Sequence, residues 1–141
     1  MKQMRYVSVT AFLVIGLLWS FGLFGCAGKG AAPVDTQCNA KIEWQVVKEV
    51  HLTRFDCAVG KHGGQPSLIF TVGLKNPTKN PLRYRVNIFL EDMDKAAGHL
   101  VPRKGKPPVV KPGQEATVKI PFIGLGRESK KILVVVKTVG S

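Results

Sequence analysis

The chain has 141 residues, of which 45% are hydrophobic and 21% are charged. This length fits about one domain and excludes a large multidomain enzyme, and the composition is that of a folded chain rather than a disordered one. Lys and Arg total 21 against nine Asp and Glu. The resulting net charge of +12 favours an anionic partner, whose class depends on the compartment.

The first 25 residues have the layout of a secretory signal peptide. Lys2 and Arg5 precede an uncharged stretch that is densely apolar over residues 12–24. The stretch ends in the sequence LFGC at residues 23–26, which resembles the lipobox of bacterial lipoproteins. The resemblance implies cleavage before Cys26 and acylation of its thiol by fatty acids such as palmitate.

These features predict three parts of the chain. Residues 1–25 form the lipoprotein signal peptide, residues 26–37 the lipidated N-terminus and a flexible tether, and residues 38–141 the folded domain. Because no Asp follows the cysteine, the resemblance also implies an outer-membrane, periplasm-facing location. An uncleaved membrane-spanning anchor and an ordinary signal peptide beside an incidental cysteine remain as alternatives.

An exported location changes the partner that the charge predicts. Nucleic acid is not a normal component of the periplasm, so we expect no nucleic-acid partner. Loss of Lys2 and Arg5 with the signal peptide would lower the net charge only from +12 to +10. The remaining classes are phosphate-bearing lipid headgroups, anionic envelope polymers and an acidic protein.

Two cysteines remain when Cys26 carries lipid. Cys38 and Cys57 form an even pair, which in an oxidising compartment predicts a disulfide. Such a bond would stabilise the domain by roughly 3 kcal/mol in the chain-entropy model. A metal site that adds His62 as a third ligand is disfavoured, because the three residues lack the close spacing of metal ligands.

The rest of the chain predicts an all-β domain. Apolar residues alternate with polar ones in several stretches, which is typical of half-buried antiparallel strands, and Asn-Pro, Pro-Gly and glycine-rich turns separate them. We predict an immunoglobulin-like β-sandwich of about six or seven strands, with a partly open barrel as the alternative. The strands are expected at 42–46, 68–75, 82–90, near 109–110, at 116–122 and at 132–136.

Two groups of basic residues are candidate contacts for an anion or a partner. If residues 68–75 and 82–90 form a hairpin, Lys75 lies opposite Arg83, with Arg85 two residues further. Like charges in that position are destabilising unless an anion or a carboxylate is near, although solvated side chains could also splay apart. The second group lies in a proline-rich, extended segment and comprises Arg103, Lys104, Lys106 and Lys111.

The proline-rich segment has two interpretations. It could lie against anionic headgroups, where each basic residue contributes on the order of 1 kcal/mol. It could equally be a solvated loop that keeps the protein soluble.

Residues for catalysis are not evident. The three histidines have no partners that suggest a hydrolase triad, and no nucleophile elbow, phosphate loop or paired-histidine metal motif occurs. Asp92 and Asp94 faintly resemble a calcium loop but lack its third ligand and its closing Glu. We therefore predict no enzyme activity, no cofactor and no metal.

The second half of the chain is similar to a class of small envelope domains. It looks like the YcfL-like lipoproteins of unknown function and, more loosely, the FxLYD and late-embryogenesis-abundant sandwiches. This resemblance implies an immunoglobulin-like fold and a lipoprotein, and it implies no catalytic or binding residues. The shared features are Asn76, Pro81, Tyr84-Arg85, the acidic turn at 92–98 and the Pro-Gly turn at 112–115.

The function predicted from the sequence is that of a lipid-anchored periplasmic binding or accessory module. It would act by protein–protein contact in an envelope assembly, through exposed sheet edges and the basic face. The alternative is a binder of anionic lipid headgroups or envelope polymers through the basic face.

Overall fold

The structure is a computed structural model that describes residues 33–140. The predicted signal peptide, the Cys26 lipidation site and most of the predicted tether lie outside the described residues. The described residues form no helix, and so none that could cross a membrane. Residues 33–140 form seven strands: β1 Lys41–Val46, β2 His51–His62, β3 Gln65–Lys75, β4 Arg83–Leu90, β5 Lys95–Val101, β6 Glu115–Ile123 and β7 Lys131–Val139.

The strands form two sheets, ordered β1-β7-β4-β5 and β2-β3-β6. Only β2–β3 and β4–β5 are hairpins within a sheet, whereas the other four connections pass between the sheets. Such cross-sheet connections are typical of sandwich domains. The predicted β-sandwich is therefore confirmed, with one departure from antiparallel pairing, since β1 runs parallel to β7.

The core lies between the sheets and follows the predicted alternation. Leu68, Phe70, Val72 and Leu74 of β3 are fully buried, as are the alternate residues of β4. Aromatic rings cross the core in a row, with centroids 4.9 Å apart for Trp44–Phe55 and 5.6 Å apart for Phe55–Phe70 and Phe70–Phe122. The first and third of these pairs are edge-to-face, a geometry whose attraction adds to that from the burial of apolar area.

The predicted hairpin between residues 68–75 and 82–90 is wrong. These segments are β3 and β4, which belong to different sheets and face each other across the core. Lys75 lies opposite His51 and Glu115 in its own sheet, not opposite Arg83. A period of two buries one face of each strand equally well in a hairpin or in two packed sheets, so alternation alone does not separate the arrangements.

Two strands were missed and one was overestimated. In β2 a bulge between Leu52 and Arg54 breaks the alternation. In β5 small residues occupy positions where the sequence predicts a turn, but the turn itself covers only residues 91–94. The expected strand near 109–110 is a single bridge between Leu82 and Val110.

A buried asparagine fixes the crossing from β3 to β4. The Nδ2 group of Asn76 donates to the carbonyl oxygens of Asn80 and Val110 at 2.7 and 2.9 Å. Its Oδ1 accepts from the backbone N–H and the hydroxyl of Thr78 at 2.9 and 2.8 Å. Asn76 is 0% exposed, so this amide replaces water for three backbone groups in two segments, the turn at 78–80 and Val110.

The two cysteines connect the sheets along one side of the sandwich. The sulfur atoms of Cys38 and Cys57 lie at disulfide distance, with their Cα atoms 5.3 Å apart. Cys57 belongs to β2, the edge of one sheet, and Cys38 precedes β1, the edge of the other. The opposite side, between edge strands β5 and β6, has no such link.

Candidate anion-binding surface

The basic residues of the domain are concentrated at one end of the sandwich. Strands alternate in direction, so the β1–β2, β3–β4 and β5–β6 connections meet at the same end. We call this the basic end, which comprises those three connections and the adjoining strand ends. It carries ten basic residues: Lys48, Lys75, Lys79, Arg83, Arg85, Arg103, Lys104, Lys106, Lys111 and Lys137.

Acidic residues scarcely offset this charge. The basic end holds two carboxylates, those of Glu49 and Glu115, whereas the remaining described residues carry eight basic and seven acidic side chains. The ion pairs within residues 33–140 are Arg54–Asp56 and Lys131–Glu91, and neither involves one of these ten basic residues. The net positive charge of the described domain is therefore almost entirely located at one end.

The seven predicted contact residues share this end but not one surface patch. Lys75 lies on the three-stranded sheet beside Glu115 of the neighbouring strand. Arg83 and Arg85 lie on β4 of the other sheet. The exposed side chains of the β5–β6 connection extend between them; they are Arg103, Lys104, Lys106 and Lys111.

Three arginines come together where β4 meets the end of β5. Nε of Arg83 donates to the carbonyl oxygen of Pro102 at 3.4 Å, a long contact that places the β5–β6 loop beside β4. Arg85 and Arg103 then line one open groove of about 530 Å³. We call it the arginine groove, and its other lining residues are Asn87, Gly98, His99 and Leu100.

Arg85 has a basic neighbour and no acidic one in its ladder. It pairs with Lys137 of β7 on one side and with Leu100 of β5 on the other. Like charges directly opposite each other in a sheet are destabilising by tenths of a kcal/mol to about 1 kcal/mol. This row of the sheet therefore presents uncompensated positive charge to solvent.

His99 is half-buried beside the groove. Burial lowers the pKa of its imidazole, and the nearby Arg103 guanidinium lowers it further. Both effects disfavour the charged ring, because burial removes water and a neighbouring cation repels a second positive charge. The lowered pKa favours the neutral imidazole, and the arginines carry the positive charge of the groove.

A second cleft opens between the free edges of β5 and β6. Its volume is about 460 Å³, and its walls are mainly apolar, with Val101, Val118 and Pro121 among them. His62, His99, Arg103 and Lys119 contribute polar groups to its lining, so it adjoins the arginine groove.

Asp92, one of the two residues that resemble a calcium loop in the sequence, is occupied by hydrogen bonds within the protein. Its carboxylate accepts the hydroxyl of Ser129 and the backbone N–H groups of Lys130 and Lys131. These hydrogen bonds lower the pKa of Asp92 to about 2. Across residues 33–140, no three His, Cys, Asp or Glu side chains are grouped so as to hold a metal ion.

Several residues of the surface were not predicted from sequence. Lys48 and Lys137 lie on segments that only the sheet order brings to the basic end. Lys79, between the two Asn-Pro pairs, was the one with a local signal, since it lies in the turn that follows Lys75. Asn87 lies at a polar position of the predicted strand 82–90, and its groove forms only because β5 is its neighbour.

Comparisons of the chain with protein-family models, with curated proteins and with solved structures found no match in any of the three. The similarity to YcfL-like lipoproteins therefore stays a prediction from the residues of the second half. The candidate surface is defined by its own geometry and charge.

Proposed function

We propose that the protein is a non-enzymatic binding module, held at a bilayer by lipid on Cys26, that docks on an anionic membrane surface through its basic end. The separation of charge carries this proposal: ten basic and two acidic residues lie at one end of the domain. Each basic residue close to an anionic bilayer contributes on the order of 1 kcal/mol. Several basic residues acting together would give a reversible contact with the bilayer that depends on charge.

The proposed tether is long enough for this orientation. Cys38 precedes β1, whose first residue lies at the end opposite the basic end. Val34 packs against the core, so the free segment would run from Cys26 to Val34, and eight positions fully extended span about 28 Å. A nine-residue strand such as β7 is about 30 Å long. The two lengths are about equal, so a lipidated Cys26 with this segment extended would bring the basic end close to the same bilayer.

A salt series on anionic and neutral vesicles tests the proposal. The mature protein with Cys26→Ser suits the assay, because the core, both sheets and the cysteine pair all lie within residues 33–140. We expect co-sedimentation with vesicles that contain phosphatidylglycerol and none with pure phosphatidylcholine. Binding should fall steeply between about 0.1 M and about 1 M salt, as the screening length shrinks from about 10 Å to about 3 Å.

Absence of binding, or binding that salt does not change, would contradict the proposal. A matched pair of variants locates the contact. Lys79→Gln with Lys106→Gln removes two charges from the basic end, and Lys95→Gln with Lys130→Gln removes two from elsewhere. The first pair should weaken vesicle binding clearly more than the second.

A protein partner is the second candidate, and the open side of the sandwich favours it. β5 and β6 are edge strands with free backbone groups, and an apolar cleft separates them. Such edges accept an added strand from another chain. A photo-crosslinker at Ala96 of β5 should then capture one defined protein in intact cells, and one at Ala58 of β2 should not. Equal capture at both positions, or none at Ala96, would contradict this function.

A further inference from the structure

We infer that the arginine groove is a binding site for a phosphoryl group, in which Arg85 and Arg103 bind the anion and Asn87 contributes a neutral amide. This inference rests on the proposed function and names the ligand chemistry at one place on the basic end. The phosphoryl group could belong to a lipid headgroup or to free phosphate, and both share the same charged oxygens.

The donor set of the groove matches this chemistry. A guanidinium group presents several N–H donors in a planar fork and binds phosphate oxygens in pairs. Arg85 approaches from the sheet and Arg103 from the loop, so the two can act on one anion from different directions. The groove has no acidic side chain in its lining, and so nothing there competes for the arginines.

Both arginines are free to bind. Within the described domain, neither Arg85 nor Arg103 takes part in an ion pair, and neither donates a side-chain hydrogen bond to the protein. The neighbouring Arg83 differs, because its Nε binds the carbonyl oxygen of Pro102. Arg83 therefore positions the loop that carries Arg103, and the other two arginines face solvent.

Gly98 makes room for the amide of the groove. A Cβ atom at this position would overlap with Oδ1 of Asn87 on the neighbouring strand. The missing side chain thus lets Asn87 lie across β5, beside the arginines. A surface that only needed to be basic would not require this arrangement.

A titration with inorganic phosphate at constant ionic strength tests the site. Amide resonances of the mature protein with Cys26→Ser should shift in a saturable way, with the largest changes at Arg85, Asn87, Gly98 and Arg103. Replacing both arginines, as Arg85→Gln with Arg103→Gln, should weaken phosphate binding at least about tenfold. The control Lys95→Gln with Lys130→Gln carries the same charge change and should weaken it less than about twofold.

A conservative pair separates recognition from charge. Arg85→Lys with Arg103→Lys keeps both charges but loses the planar fork. We expect this variant to bind phosphate clearly more weakly than the wild type does, and still to bind phosphatidylglycerol vesicles. Neither variant should unfold at a lower temperature than the wild type, because both arginines are exposed and Arg85 lies opposite the like charge of Lys137.

Competition identifies the source of the phosphoryl group. If phosphatidylglycerol vesicles displace phosphate from the groove, the ligand is a headgroup; if vesicle binding leaves phosphate in place, it is a free anion. Either result supports the groove. Shifts spread evenly over the basic end, or equal losses in the Gln variant and its control, would overturn the groove. In that case salt-dependent vesicle binding would still support the proposed function, and its absence would remove both.

Discussion

At the scale of single residues, Asn76 is the buried polar group on which the most backbone depends. Removal of its side chain by Asn76→Ala would leave the N–H of Thr78 without its partner and would remove one of the two hydrogen bonds that the carbonyl oxygens of Asn80 and Val110 each accept. An unsatisfied buried group costs about 1–3 kcal/mol, and each further hydrogen bond contributes about 1 kcal/mol. We expect a loss of about 2–4 kcal/mol in the free energy of unfolding, measured by urea denaturation.

The matched control is Asn80→Ala. Its side chain is exposed, and only its backbone groups take part in the turn. This variant should change the free energy of unfolding by less than about 0.5 kcal/mol. Equal effects of the two substitutions would show that Asn76 acts only as a turn residue.

Asp92 should make the free energy of unfolding depend on pH in the acidic range. Hydrogen bonds from Ser129 and the backbone lower its pKa from 3.8 to about 2. Its contribution is therefore complete above the unfolded pKa and is lost as the pH falls from about 4 towards 2. Asp92→Asn should destabilise the domain at neutral pH and flatten this acid transition, as followed by urea unfolding at a series of pH values.

Asp94→Asn is the comparison for that experiment. Asp94 lies in the same turn, at a positive φ of 50° that Asn also tolerates. It makes no side-chain hydrogen bond in the part of the chain that the structure describes. An acid transition that changes equally in both variants would contradict the role given to Asp92.

At the scale of elements, the cysteine pair holds the edges of the two sheets together. A bond between residues 19 positions apart should stabilise the domain by about 3 kcal/mol through the unfolded state. We expect Cys38→Ala with Cys57→Ala to lower the free energy of unfolding by that amount, and reduction of the wild-type protein to reproduce the effect. Unchanged unfolding after complete reduction would show that the sulfurs are near each other but not bonded.

Five strands were predicted: β1, β3, β4 and β6 from the alternation of apolar and polar residues, and β7 from the continuous apolar run at 132–136. In β3, β4 and β6 the apolar positions are two residues apart throughout, and those faces are buried. β2 was not predicted because its bulge shifts the alternation between Leu52 and Arg54. β5 was not predicted because its Ala, Gly and His residues do not form an apolar pattern. Its Gly98 indicated a turn in the sequence, but in the structure it lies in the strand and faces Asn87.

The pairing of the strands could not be predicted from the sequence, for a different reason. Alternation specifies which face of a strand is buried but not which strand lies beside it. The connection from Asn76 to Leu82 reads as a hairpin turn, and yet its buried Asn76 directs the chain to the opposite sheet. The decisive interaction joins residues 34 positions apart, which no local pattern reports.

At the scale of the whole molecule, the charge is organised by topology. The seven predicted contact residues extend from Lys75 to Lys111, and the sandwich gathers them at one end because three connections meet there. The composition predicted an anionic partner, and the structure shows that most of the positive charge of the described residues lies at one end of the domain. The arginine groove was not predictable, because Arg85 and Arg103 meet only when β5 pairs with β4.

The most direct test of the central proposal is to find which end of the domain contacts an anionic bilayer. Paramagnetic relaxation from a spin-labelled headgroup lipid in phosphatidylglycerol bicelles reports this for each backbone amide of the mature Cys26→Ser protein. The strongest broadening should occur at residues 76–82 and 102–114. Broadening that is strongest at 63–64, 91–94 and 124–130, or that is uniform over the domain, would contradict docking through the basic end.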